Sequence, residues 1–207
     1  MEEIYIFGHK NPDTDTILSA LILEAIEKTM GIYKTKAYRL GEVNKETQYA
    51  LDYFGVKAPE LLEEVEEGRQ VMLVDHNEFG QSVKGIEKAK IIRVVDHHKI
   101  ANFETKEPLF YMAMPVGCTA TILRDMCKVS GIKLDRITAG LMLSAIISDT
   151  LLLKSPTTTE KDKETAEELA KIANVDLNAY GMDMLKAGTD LSDFTPEQLI
   201  NIDSKPF

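Results

Sequence analysis

Tryptophan is absent, cysteine occurs only twice, and no apolar run approaches the length of a membrane span. Cys118 and Cys127 stand nine apart, with no Cys-x-x-Cys spacing. This argues against a disulfide scaffold or a zinc finger and reads as a reduced, cytoplasmic chain. Positive charge is also scarce, with 24 Lys+Arg against 34 Asp+Glu and a formal net charge of -10. Such a surface repels phosphodiester backbones and anionic lipid, so neither nucleic acid nor a membrane is expected as a partner. Met1–Tyr5 carries no basic patch followed by an apolar stretch, as a signal peptide would. No internal repeat or low-complexity tract interrupts the chain. What is present, over 207 residues, is 44% hydrophobic and 28% charged, the composition of a globular chain with a sizeable core.

Short apolar runs alternate with helical patterns through the first 150 or so residues. Strands are expected at Ile4–Phe7, Thr35–Leu40, Val71–Val74 and Ile91–Val95, with a weaker one at Leu109–Ala113. Helices are expected at Asp15–Met30, Asn44–Phe54, Thr119–Ser130, Ile137–Ile147, Thr159–Ala173 and Thr195–Ile202. The acidic stretch Glu60–Glu67 reads as a solvated helix face. This alternation predicts an α/β fold, an open, mostly parallel sheet with helices on both faces and a helical C-terminal part.

Ligands in such sheets bind at the carboxyl ends of the strands. There the chain places His9, Asp13 and Asp15 after the first strand, Asp75 and His76 after Val71–Val74, and Asp96, His97 and His98 after Ile91–Val95. Asp149 follows the apolar helix Ile137–Ile147. The chain's four histidines, His9, His76, His97 and His98, all fall in these motifs. Several carboxylates on one rim cannot all stay ionised without a compensating cation. Imidazoles beside carboxylates are what divalent metals take, and two ions about 3.5–4 Å apart form a clamp for a phosphoryl group.

Plainer readings stand beside these. Asp13 or Asp15 taken alone is a helix cap. His76 suits a bond to a loop carbonyl as well as a metal role, and Asp96 suits orienting an imidazole better than ligation. Asp149 at a helix C-terminus is disfavoured by the helix dipole, which argues for a nearby cation. The Pro115–Thr121 segment fits a loop with a helix cap and an anion contact equally well.

Together, Gly8–Thr16, Val74–Glu78, Val95–His98, Pro115–Thr121 and Ser144–Thr150 resemble the DHH phosphoesterase superfamily, and within it the manganese-dependent family II inorganic pyrophosphatases. Ala101–Phe103 and Met184–Gly188 extend the likeness along most of the chain. The resemblance implies that His9 and Asp13 hold one metal, that Asp15, His97 and Asp149 hold the other, and that Asp75 bridges them. It implies two Mn²⁺ or Co²⁺ ions, with room for a further Mg²⁺ arriving with substrate. His98 would be the catalytic proton donor to the leaving phosphate, and Lys205 a substrate-binding lysine. It further implies hydrolysis of inorganic pyrophosphate by a homodimer.

On this reading residues 1–190 form the metal-binding catalytic domain, and 191–207 form a terminal helix and the start of an interdomain linker. The family's second, substrate-clamping domain is then expected beyond this sequence, leaving these residues alone weakly active. Another DHH phosphoesterase, an exopolyphosphatase or a RecJ-type nuclease, is the alternative enzyme. A metal-binding dimerisation module is the alternative outside catalysis.

Overall fold

A computed structural model describes residues 2–189. The expected helix at Thr195–Ile202, the 191–207 segment and Lys205 lie outside the described residues. Six strands, β1 (Ile4–Phe7), β2 (Thr35–Arg39), β3 (Glu60–Leu61), β4 (Gln70–Val74), β5 (Lys90–Asp96) and β6 (Phe110–Ala113), pair in parallel in the order β3-β2-β1-β4-β5-β6. Six α-helices accompany them: α1 (Thr14–Met30), α2 (Lys45–Phe54), α3 (Thr119–Val129), α4 (Arg136–Thr150), α5 (Glu160–Ala173) and α6 (Leu177–Gly188). The open, parallel α/β sheet expected from the alternation is the one observed.

Alternation along each strand divides the core. Ile4, Ile6, Met72 and Val74 face a cluster containing buried residues of all six α-helices. Phe7, Val71, Leu73 and Val94 face a second cluster with Val65, Val83 and Ile86. The 3₁₀ turns at Phe79–Gln81 and Ile86–Lys88, in the crossover between β4 and β5, help cover this second face. The β4–β5 register slips between Val71 and Met72, so Ile91 and Val94 share one cluster while Val95 falls in the other.

The acidic stretch at 60–67 is not a helix. Glu60–Leu61 forms the edge strand β3, and Glu64 bridges to Lys84. Val65, buried in the second cluster, pins this segment beside the sheet, where an exposed helix could not place it. Two helices extend the expected bounds. α1 begins at Thr14 because Asp13 caps it, with Asp13 Oδ1 accepting from Thr16 N at 3.0 Å. α4 runs on to Thr150, which puts Asp149 inside its last turn.

The strand order reverses between β1 and β4, so the chain leaves these neighbours in opposite directions and opens a crevice at their carboxyl ends. His9 and Asp75 sit just past those two ends.

Candidate metal centre

Asp75 is the pivot of the crevice. Its backbone leaves β4 at φ 59°, a left-handed conformation that aspartate tolerates better than a branched residue. Its carboxylate is divided between two imidazoles, with Oδ2 3.5 Å from His9 Nε2 and Oδ1 3.2 Å from His97 Nε2. Thr16 Oγ1 donates to Oδ2 at 2.5 Å, and Thr119 Oγ1 donates to Oδ1 at 3.2 Å. Gly8 makes the first of these possible, since a Cβ there would stand 2.4 Å from Thr16 Cγ2. The strand end can therefore lie directly against α1.

Three groups of side chains with metal-ligand chemistry meet at this carboxylate, one of them Asp75 with His97 and the rim residue His98, whose Nδ1 lies 3.6 Å from Asp75 Oδ1. His9, Asp13 and Asp75 offer ligand atoms all within 4.8 Å of one another, as do Asp15, Asp75, His97 and Asp149. Asp13 faces both ways, since Oδ1 caps α1 while Oδ2 lies 3.5 Å from His9 Nε2. The cap and the ligand readings of Asp13 are thus compatible. His97 Nε2 is also 3.7 Å from Asp149 Oδ2, while Nδ1–H donates to Val116 O at 3.0 Å. That backbone bond fixes the tautomer which leaves Nε2 free to bind.

The charges in this cluster are not balanced by the protein alone. Burial, then the Asp75 charge, pushes the Asp15 carboxyl up to about 6. Asp149 is held well above the carboxylate range by burial and by Asp15 and Asp75. Burial opposes charge on His9, yet Asp13 and Asp75 outweigh it and raise the ring to about 11. His97 rises to about 9 in the same way, with Asp75 and Asp15 outweighing burial. Burial also works against an ionised Asp75, but His9 and His97 hold it well below the usual range. Carboxyls raised at Asp15 and Asp149, beside imidazoles raised at His9 and His97, mark crowded negative charge that a pair of divalent cations would offset.

His98 stands at the rim with half its side chain exposed. Its Nδ1–H and backbone N–H both donate to Asp96 Oδ1 at 3.0 Å. Asp96 raises the pKa of the ring against the opposing effect of burial. Asp96 belongs to none of the three groups at Asp75 and acts on the imidazole of His98, which belongs to one. Asn77 holds it there, donating from Nδ2 to Asp96 Oδ2 at 2.6 Å and to Lys99 O at 2.9 Å, while its Oδ1 accepts from Ala101 N.

His76 belongs to none of these groups, because both ring nitrogens are engaged. Nδ1–H donates to Val74 O at 2.9 Å, and Nε2 accepts from Ser82 Oγ at 3.0 Å. Burial lowers its pKa to about 4, so it stays neutral and fastens the β4–β5 crossover. The start of α3 does contact an anion, but an internal one: Thr119 N donates to Asp15 Oδ2 at 2.8 Å.

Sequence reading gave no individual supporting role to Thr16, Ser19, Asn77 and Thr119, or to the Glu46 carboxylate. Ser19 donates to Asp15, and Glu46 accepts from Thr14 and Ser148, which neighbour Asp13, Asp15 and Asp149. Thr16, Asn77 and Thr119 lie in the strand-end and helix-start motifs, whereas Ser19 and Glu46 carried no positional signal.

A family model described as the DHH family, N-terminal domain, matches residues 3–146. The chain is 60% identical over 207 residues to an Oceanobacillus iheyensis protein described as a probable manganese-dependent inorganic pyrophosphatase, covering all of this chain and 67% of that one. It is 57% identical over 208 residues to a Bacillus subtilis manganese-dependent inorganic pyrophosphatase, again covering all of this chain and 67% of the relative. A Methanococcus jannaschii crystal structure, described as that of a "putative family II inorganic pyrophosphatase", superposes with a TM-score of 0.86 at 43% identity. That match covers 98% of this chain and 66% of the other, so the chain spans about two thirds of the length of these relatives. An exopolyphosphatase-related protein of Bacteroides fragilis shares the fold alone, at a TM-score of 0.66 and 14% identity.

Proposed function

Because this chain belongs to the DHH family and, within it, to the manganese-dependent inorganic pyrophosphatases, we propose that it carries the metal-binding core that hydrolyses inorganic pyrophosphate to two phosphates. The observation that carries this reading is the division of one buried carboxylate, Asp75, between two ligand groups. On this reading His9 and Asp13 hold one Mn²⁺, Asp15, His97 and Asp149 hold a second, and Asp75 reaches both. Bound divalent ions supply the acidity that makes a water nucleophilic near neutral pH and the positive charge that steadies a phosphoryl group.

The chain's own groups do the rest. Thr16 and Thr119 fix both oxygens of Asp75, so neither can swing out of the crevice. Asp96 pins His98 through Nδ1–H, which leaves Nε2 at the exposed rim. The Asp96 hydrogen bond favours the charged form of His98, and Nε2–H is the proton the arrangement offers to the departing phosphate. Lys205 would bind substrate and lies outside the described residues.

No helix among the described residues is long and apolar enough to cross a membrane. A cytoplasmic location is supported by Cys118 and Cys127 being free thiols, and a homodimer is the assembly we expect. A further Mg²⁺ entering with pyrophosphate is part of the same proposal. Lys10, Lys99 and Lys154 are few cations for so concentrated an anion, so slow turnover is expected from these residues alone.

The test is hydrolysis by the 207-residue chain with Mn²⁺, read as phosphate release from pyrophosphate or a long polyphosphate and as nucleotide release from an oligonucleotide. Preference for pyrophosphate, abolished by a chelator, is expected. Faster attack on either of the other two substrates would overturn the assignment in favour of an exopolyphosphatase or a nuclease.

A further inference from the structure

Behind the metal groups lies a carboxylate with no part in the reading above. Asp162, in the first turn of α5, is wholly buried. Four uncharged donors reach it. Oδ2 accepts from Thr159 N at 2.8 Å, Thr159 Oγ1 at 2.6 Å and Gly117 N at 2.8 Å, and Oδ1 accepts from Thr121 Oγ1 at 2.6 Å. The bond from Thr159 N belongs to the capping box of α5, which any N-terminal turn can form at the surface, and the one from Thr159 Oγ1 is local to the same turn. The other two span 45 and 41 residues of sequence and do nothing for α5. They clamp the entry to α3 on both sides of Thr119.

The segment so clamped holds three of the side chains in the groups at Asp75. Val116 O accepts from His97 Nδ1, Thr119 N donates to Asp15 Oδ2, and Thr119 Oγ1 donates to Asp75 Oδ1. These three carboxylate and imidazole groups are pushed apart or together by unbalanced charge. Their convergence therefore depends on a frame that does not yield. Gly117 shows how closely the frame is drawn, since a Cβ there would stand 2.9 Å from Asp162 Oδ2 and 3.0 Å from Thr150 Cγ2.

We propose that Asp162 is a positioning residue for the metal centre: through Gly117 and Thr121 it fixes residues 116–119, and through them His97, Asp15 and Asp75. This rests on the reading of those groups as metal ligands. It reaches the His9 side of the centre only through Asp75, whose Oδ2 Thr16 holds independently. His9 Nδ1–H donates to Lys10 O, and Asp13 caps α1, so neither draws on the clamped segment.

The experiment is Mn²⁺ titration of the 207-residue chain by calorimetry, with circular dichroism to verify folding. In Asp162→Asn an amide N–H₂ replaces one acceptor. One of the two Mn²⁺ affinities should fall by roughly 10–100-fold, the usual effect of removing a group that orients metal ligands, with the other falling much less. Thr121→Val removes a single bond with little change of shape, and should weaken the same ion about fivefold should Asp162→Asn fail to fold. Thr159→Ala removes part of the α5 cap alone and should lower the melting temperature while leaving both affinities intact.

Wild-type affinities in folded Asp162→Asn and Thr121→Val would overturn the proposal, whatever the melting temperatures. An equal weakening in Thr159→Ala would overturn it too, since loosening α5 would then suffice. A wild-type chain that binds no Mn²⁺ would instead overturn the metal reading on which the proposal stands.

Discussion

Asp15→Asn is expected to stabilise the ion-free protein while destroying one metal site. Asp15 is wholly buried, and its carboxyl is raised from 3.8 to about 6, by burial first and by Asp75 next, after the attraction of His97 is counted. A rise of about two units corresponds to about 3 kcal/mol against the ionised form in the fold. The folded value lies above the unfolded one, so this penalty is absent below about pH 4 and complete above about pH 6.

Asparagine removes the charge but keeps only one acceptor. Asp15 accepts from Ser19 Oγ at 2.6 Å and from Thr119 N at 2.8 Å. The amide nitrogen can face Ser19, whose hydroxyl rotates to accept, while the remaining oxygen keeps the Thr119 N–H, so neither bond need be lost. The net gain is about 3 kcal/mol at pH 8, or roughly 6–12 °C in melting temperature for a chain of this size. The assay is thermal unfolding in excess chelator at pH 8 and pH 4, repeated with Mn²⁺. The gain should vanish at pH 4, and Mn²⁺ should raise the wild-type melting temperature more than the variant's. A chelated Asp15→Asn protein that melts at or below wild type at pH 8 would refute the electrostatic account.

Other outcomes follow from the same geometry. With His9 raised to about 11 and His97 to about 9, the ion-free protein binds Mn²⁺ by giving up at least two protons near pH 7; calorimetry in buffers of different ionisation enthalpy should read that release. Both rings have folded values above their unfolded ones, so their stabilising contribution is present below about pH 6.5 and is lost through pH 9 and beyond. Chelated protein should therefore become easier to unfold in urea as pH rises across that window, and an increase in resistance would contradict it. Asp75→Asn should weaken both Mn²⁺ sites; elemental analysis returning two ions per chain would rule out a shared carboxylate. His98→Gln should lower kcat by roughly 10²–10⁴-fold while leaving Mn²⁺ content unchanged, and a loss of metal instead would make His98 a ligand.

Strands β1, β4 and β5 were legible because buried parallel strands are written as short apolar runs, and turn chemistry marked where they stop. The polar residues just past those stops, with Asp149 at the end of an equally apolar helix, gave the ligand types. The Glu60–Glu67 stretch misled because a charge run reports solvent, and solvent lies beside an edge strand as readily as beside a helix. The order of the strands, and hence which loops share a crevice, was not written locally. It follows from how the two faces of the sheet bury their apolar halves.

The sequence by itself determined the chemistry available: which imidazoles and carboxylates exist, and that they follow strands and helices where ligands gather. Only the tertiary structure decided their division of labour. It gave each oxygen of Asp75 to a different histidine, withdrew His76 into a neutral loop bond, set Asp96 to orient His98, and buried Asp162 behind α3. Residue type fixes which atoms can bind a proton or a metal. Burial and distance fix which of them do, and both arise from contacts between segments tens of residues apart.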